Sequence, residues 1–178
     1  QLALEGLVRA GTIPVISDGV ESLNRISGNP PHPQLIQIHG SRHTYTLRNS
    51  DEDVADVGDH NIAGSSVQQL FQHACALVVV GYAGNEDGIM NLLIRAAESY
   101  PDKYIYWVQY NQDQSKLSEN AKKLLFSSRN SVVISGIDAD SFFQDLSAEL
   151  KEGIPSAIDN PITLLARKAN LISDSANP

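Results

Sequence analysis

The sequence predicts an α/β domain built on a mainly parallel sheet. Three observations lead there. Leu77, Val78, Val79 and Val80 form an unbroken apolar run without alternation, the pattern of a strand covered on both faces. Short β-prone runs alternate with segments of helical period along most of the chain, as crossover-connected parallel strands require. The strands also end on glycine, at Asp18-Gly19, His39-Gly40 and Gly81-Tyr82. Five strands are expected in all.

Leu2, Leu4, Leu7 and Val8 have helical spacing and stop at Gly11, so the chain opens on a helix entered partway through and reads as a fragment. Thr12 to Ser17 is a short β-rich run, and Val20, Leu23 and Ile26 suggest a short helix. The prolines of Asn29-Pro-Pro-His-Pro33 permit only loop. Gln34 to Ile38 is the next strand, and Arg42 to Asn49 a further extended piece. Ser50 and Asp53 have capping-box spacing. A small-residue loop from Gly58 to Gly64 precedes a helix over 65–74, with Val67, Leu70 and Phe71 inward and Cys75 a small core residue behind it. The Leu77–Val80 strand turns through Gly81, Gly84 and Gly88 into a helix carrying Ile89, Met90, Leu93, Ile94, Ala96 and Ala97. Tyr104 to Tyr110 is strongly β-prone, Lys116 to Phe126 amphipathic, Ser131 to Ser135 a fifth strand, and 139–152 a helix with Phe142, Phe143, Leu146 and Leu150 on one side. Residues 1–152 thus make one domain, and 153–178 a linker with one amphipathic helix, Ile162 to Leu171.

Composition narrows the function. A formal charge of −8 without a Lys/Arg cluster argues against direct nucleic-acid binding. One cysteine, Cys75, excludes an intrachain disulfide and any multi-cysteine zinc site, so no metal is expected. No run approaches the roughly 18 apolar residues of a membrane span, and no signal peptide opens the chain, so a cytoplasmic protein is expected.

In parallel α/β sheets ligands bind beyond the carboxyl ends of the strands, where glycines let phosphate or ribose approach the backbone. Asp18-Gly19, His39-Gly40 and the turn Gly81-Tyr82-Ala83-Gly84-Asn85 are therefore expected to open on one crevice. His39 is the group there whose ordinary pKa lies near neutrality, suited to general acid–base work or to orienting a ribose hydroxyl. The alternative for each is plain turn chemistry, and a hydrogen-bonded strand-end histidine is common. His39 and His43 are four apart on a segment that does not read as a helix, so no metal pair is expected.

Gln34-Leu-Ile-Gln-Ile-His-Gly-Ser41 resembles the strand end of the Sir2 family that carries the catalytic histidine, and Val79-Val-Gly-Tyr-Ala-Gly-Asn-Glu-Asp-Gly-Ile-Met90 resembles the glycine turn of its bacterial Sir2-like members. Tyr106-Trp-Val108 and Phe142-Phe-Gln-Asp-Leu146 fit the same order. The resemblance covers about residues 1–150. It implies a Rossmann-like three-layer sandwich that takes NAD as substrate or ligand without a zinc ribbon. Similar domains hydrolyse NAD to nicotinamide and ADP-ribose as antiphage-defence effectors, often fused to a nucleotide-binding sensor. A fused sensor or NTPase domain, or a homo-oligomer, is accordingly expected. Carried over, His39 is the catalytic base, and Asp18, Gly19, Gly40, Gly81, Tyr82, Ala83 and Asn85 line the cofactor pocket. Gly19 stands where the family has its water-positioning asparagine, Glu21 where it has aspartate, and Ala83 where it has serine. The family's glycine-rich pyrophosphate loop is not in the sequence. These departures leave two alternatives to the hydrolase: a catalytically degenerate sensor of NAD or ADP-ribose, or a scaffold that has kept the sheet and lost the pocket.

Overall fold

The computed structural model describes residues 13–19, 22, 25–38 and 61–150. Among the described residues, five strands and four α-helices succeed one another as β1 (Val15–Asp18), β2 (Gln34–Gln37), α1 (Asn61–His73), β3 (Ala76–Val80), α2 (Asp87–Ser99), β4 (Tyr104–Gln109), α3 (Glu119–Phe126), β5 (Asn130–Ser135) and α4 (Ala139–Glu149). A 3-10 turn, Gln114–Lys116, precedes α3. Every strand pairing is parallel. Among the described residues the strands pair as β1-β2 and as β3-β4-β5.

β4 organises the larger sheet. Its register sets Val79 and Val133 on either side of Trp107, and Leu77 beside Ile105. Alternation puts these residues on one face, and that face holds the core. Met90, Ala96 and Ala97 of α2, with Ala121 and Leu124 of α3, pack against Ile105 and Trp107 in one buried cluster that also takes in Val67 and Phe71 of α1 and Ile26. The alanines let the helices approach the sheet closely. Gly64 of α1 faces Leu92 of α2, where a Cβ would make an ordinary contact at 3.8 Å. α1 begins at Asn61 and so runs back into the segment expected to be loop.

Helix ends obey their caps. The helix expected over 116–126 is divided because two caps occur in succession. Asp113 accepts from the Ser115 N–H at 2.9 Å and Ser118 from the Ala121 N–H at 3.1 Å, so a 3-10 turn is succeeded by a fresh start at Glu119. α4 ends three residues earlier than expected, with Leu150 at its C-cap.

Two burial expectations are corrected. Cys75 is exposed, because α1 ends at His73 and the thiol falls on the turn into β3. β3 is covered on one face only: Val78 is 47% exposed, since among the described residues the opposite face of the sheet carries α4 alone, and α4 buries none of its residues.

The β1-β2 sheet is separated from β3 by an apolar cavity of about 680 Å³, which Ile36, Gln37 and Ile38 share with Leu70 and Phe71 of α1 and with Ala76 and Leu77 at the start of β3. The opening helix, the extended piece at 42–49, the Ser50/Asp53 box and the helix at 162–171 lie outside the described residues, as does most of the short helix around Val20 and Leu23. Among the described residues no helix is long and apolar enough to cross a membrane.

Leu124, fully buried, and Phe126, 87% exposed, are separated by a single residue and lie on opposite sides of the helix. Leu124→Ala should destabilise the fold by about 2–5 kcal/mol in urea unfolding, whereas Phe126→Ala should change it by less than about 0.5 kcal/mol. Equal effects would contradict the packing described.

Candidate nucleotide crevice

Register aligns the carboxyl ends of β3, β4 and β5. Val80 pairs with Val108, and Gln109 with Ser135, so the chain leaves all three strands on the same edge. The segments leaving these strands build one crevice of about 400 Å³: Gly81, Tyr82 and Ala83 after β3, Tyr110 and Asn111 after β4, and Ile137, Asp138 and Ala139 leading into α4. An adjoining hollow is lined by Tyr110, Asn111, Gln112 and Gly136. Gly136 turns the backbone with φ 82°, and its N–H donates to the Gln109 carbonyl at 3.0 Å. The Gln109 amide also donates to Ser135 Oγ at 3.1 Å, which ties the two strand ends together.

The turn after β3 is held from below. Gly84 has φ 69°, and a Cβ there would stand 2.8 Å from the Trp107 ring and 3.0 Å from Ser118 Oγ. Only glycine satisfies both the left-handed conformation and the contact. Ser118 Oγ donates to the Gly84 carbonyl at 2.9 Å while capping α3, so a single hydroxyl locks the turn to that helix. Tyr82 lies with its ring 6.4 Å from that of Trp107 and donates its hydroxyl to Glu86 Oε2 at 3.4 Å. Its pKa is pushed up from 10.0 to about 12, first by burial and then by the Glu86 carboxylate, both of which favour the neutral phenol.

The helix starts on this edge carry acids. Glu86 holds the N-cap position of α2, with Asp87 next to it. Asp138 caps α4, accepting from the Ser141 N–H at 2.8 Å and from Ser141 Oγ at 3.0 Å, and these bonds hold its carboxyl below the usual range. A helix N-terminus binds phosphate through free N–H groups and its positive dipole end. At α4 the Asp138 carboxylate already occupies that place and repels a second anion, whereas the Glu86 side chain makes no cap bond to α2 and accepts from Tyr82 instead. Acceptor oxygens, an amide at Asn111 and the aromatic surface of Tyr110 suit a neutral, hydroxyl-bearing ligand such as a nucleoside.

Of the residues expected at the site, Gly81, Tyr82 and Ala83 line this crevice. Asn85 is on the same turn but exposed and outside the lining. Asp18 and Gly19 lie at the end of β1, where the Gly19 N–H donates to the Gln37 carbonyl at 2.9 Å and φ is 78°. They belong to the smaller sheet and do not line the crevice. His39 and Gly40 lie outside the described residues. Gln109, Tyr110, Asn111 and Asp138 line the crevice unforeseen. The signal was present, because the strand-end rule applied at Gly81 applies equally after β4 and β5. Among the described residues no group of His, Cys, Asp or Glu is placed to hold a metal ion.

A parallel α/β domain with a crevice at its strand ends defines the class. The sequence profile of the SIR2-like domain matches residues 3–134, close to three quarters of the chain and from ahead of β1 almost to the end of β5, and the chain belongs to that family. Membership brings the NAD-related role of Sir2-like domains. Comparison with curated proteins and with solved structures finds no match in either set.

The turn gives rise to two expected outcomes. Gly84→Ala should cost about 2 kcal/mol or more, from left-handed strain plus displacement of Trp107, read as a lowered unfolding midpoint. Tyr82 has its pKa raised in the folded state, so its contribution to stability is complete below pH 10 and lost as pH rises toward 12. In ultraviolet titration, Tyr82→Phe should remove a tyrosine ionising near pH 12; an unchanged high-pH phase would contradict this.

Proposed function

We propose that this chain is a Sir2-like module that binds NAD or ADP-ribose with the adenosine portion in the crevice beyond β3, β4 and β5. The observation that carries the reading is the convergence of three strand ends on one crevice of about 400 Å³, the size of a small-molecule site. Tyr110, 78% exposed, offers a ring on which a base can stack. Asn111 offers its side-chain amide to ribose hydroxyls. The Asp138 carboxylate at the start of α4 directs the phosphates away from that helix, so the nucleoside rather than the pyrophosphate occupies this crevice.

A second reading is hydrolysis of NAD to nicotinamide and ADP-ribose, with His39 as the base acting on a ribose hydroxyl. The family match, which spans the strand end at His39-Gly40-Ser41, favours it. Gly19 weighs against it: where the family has an asparagine there is no side chain, and the backbone N–H is engaged with Gln37. The antiphage-effector role and a fused sensor domain belong to this reading.

Thermal unfolding with millimolar NAD, ADP-ribose and adenosine separates the readings. All three should raise the midpoint, with saturation near 100 Kd giving about 2.7 kcal/mol. Tyr110→Ala should weaken binding roughly tenfold through lost stacking. The absence of any shift in the unaltered chain would defeat the binding reading. Nicotinamide release that His39→Ala abolishes would establish hydrolysis, and binding without release would leave the sensor.

A further inference from the structure

Two walls of the crevice rise beyond the point where strand pairing holds them. One is the turn after β3, which contributes Gly81, Tyr82 and Ala83; another is the loop after β4, which contributes Tyr110 and Asn111. The register between these strands ends at Val80 and Val108, so the separation of the walls depends on other contacts. At Gly84 two such contacts meet. The Trp107 ring sets how closely the turn can approach, since a Cβ on Gly84 would already stand 2.8 Å from it. The Ser118 hydroxyl keeps the turn from moving away, donating to the Gly84 carbonyl at 2.9 Å.

Ser118 stands at the far end of the loop that bears the second wall. From Asn111 onward that loop is braced by its own bonds, Asp113 N–H to Asn111 Oδ1 at 3.0 Å and Ser115 N–H to Asp113 Oδ1 at 2.9 Å, and Leu117 fastens it to the core. A hydroxyl outside the lining therefore joins the two walls. Gly84 is buried, so its carbonyl cannot simply exchange this donor for water. We infer that Ser118 is a positioning residue of the crevice, whose bond to Gly84 holds Tyr82 and Ala83 at the separation from Tyr110 and Asn111 that a nucleoside needs. The inference rests on the nucleotide-binding reading above and adds the residue that sets the width of the site. The two bonds of Ser118 are chemically separable. Capping α3 needs only an acceptor, which Ser, Thr, Asn or Asp supplies, whereas the bond to Gly84 needs a proton that an ionised carboxylate lacks.

Equilibrium binding of ADP-ribose to the full chain tests this. Ser118→Ala, which loses both bonds, and Ser118→Asp, which keeps the cap and loses the donor, should each weaken binding about tenfold. Ser118→Thr, which keeps both, should bind as the unaltered chain does. If Ser118 only caps α3, Ser118→Asp will bind as tightly as the unaltered chain, and that result would overturn the inference. Hydrogen exchange in the unaltered chain gives a second measurement that needs no variant. ADP-ribose should slow the Ala121 amide, bonded to Ser118 Oγ at 3.1 Å, several-fold more than the amides of α1, none of whose residues lines the crevice. Equal slowing in both helices would also overturn the inference. Absence of any binding to the unaltered chain would instead defeat the nucleotide reading, and the inference with it.

Discussion

The contact between Trp107 and the turn at Gly84 is the constraint on which the described structure depends. The indole is fully buried at the centre of the central strand, and its ring lies directly beneath the backbone of Gly84. On one side it anchors α2 and α3 through Met90 and Leu124; on the other it fixes the height of the turn that ends β3. Ser118 closes the arrangement by bonding to the turn and to its own helix. Core and crevice are therefore the same construction seen from two sides. A change in ring volume at 107 moves the rim of the crevice as directly as it loosens the core.

The crevice inherits its chemical character from the helix starts. In many α/β proteins the positive end of a helix dipole is left open for a phosphate. Here Glu86 and Asp138 occupy the cap positions, and Asp138 is fully engaged with Ser141. The start of α4 is thus closed to a phosphate by its own cap.

Much of this could be read in the sequence, for reasons that differ between elements. All five strands were legible because β-branched and aromatic runs such as Leu77–Val80 and Tyr104–Gln109 are bounded by glycine and polar turns. Caps were harder. Ser118 is one of several serines, and only the bond it makes to Gly84 from 34 positions away reveals why the helix starts there rather than at Lys116. The burial of Cys75 and of both faces of β3 was misjudged because apolar character states what a residue tolerates, while coverage depends on which helices arrive. The pairing of β1 with β2 and of β4 with both β3 and β5 was equally hidden, since local patterning says nothing of which strand edges meet. At the site, the turn after β3 was found through its density of glycines. The ends of β4 and β5 contribute equally but look like ordinary loop in isolation, and only register places them beside it.

The parallel pairing of β3, β4 and β5 also governs how the chain reaches its fold. Ala76 pairs with Tyr104, and Tyr104 with Asn130, so each partner strand is more than two dozen residues away along the chain. No hairpin can start this sheet. Loop closure must precede the first interstrand hydrogen bond, and α2, whose bonds are all local, is the element that shortens that search. Assembly is therefore slow relative to a helical bundle of the same size, and the exposed strand edges of the half-built sheet are the hazard that a crowded, warm environment would exploit.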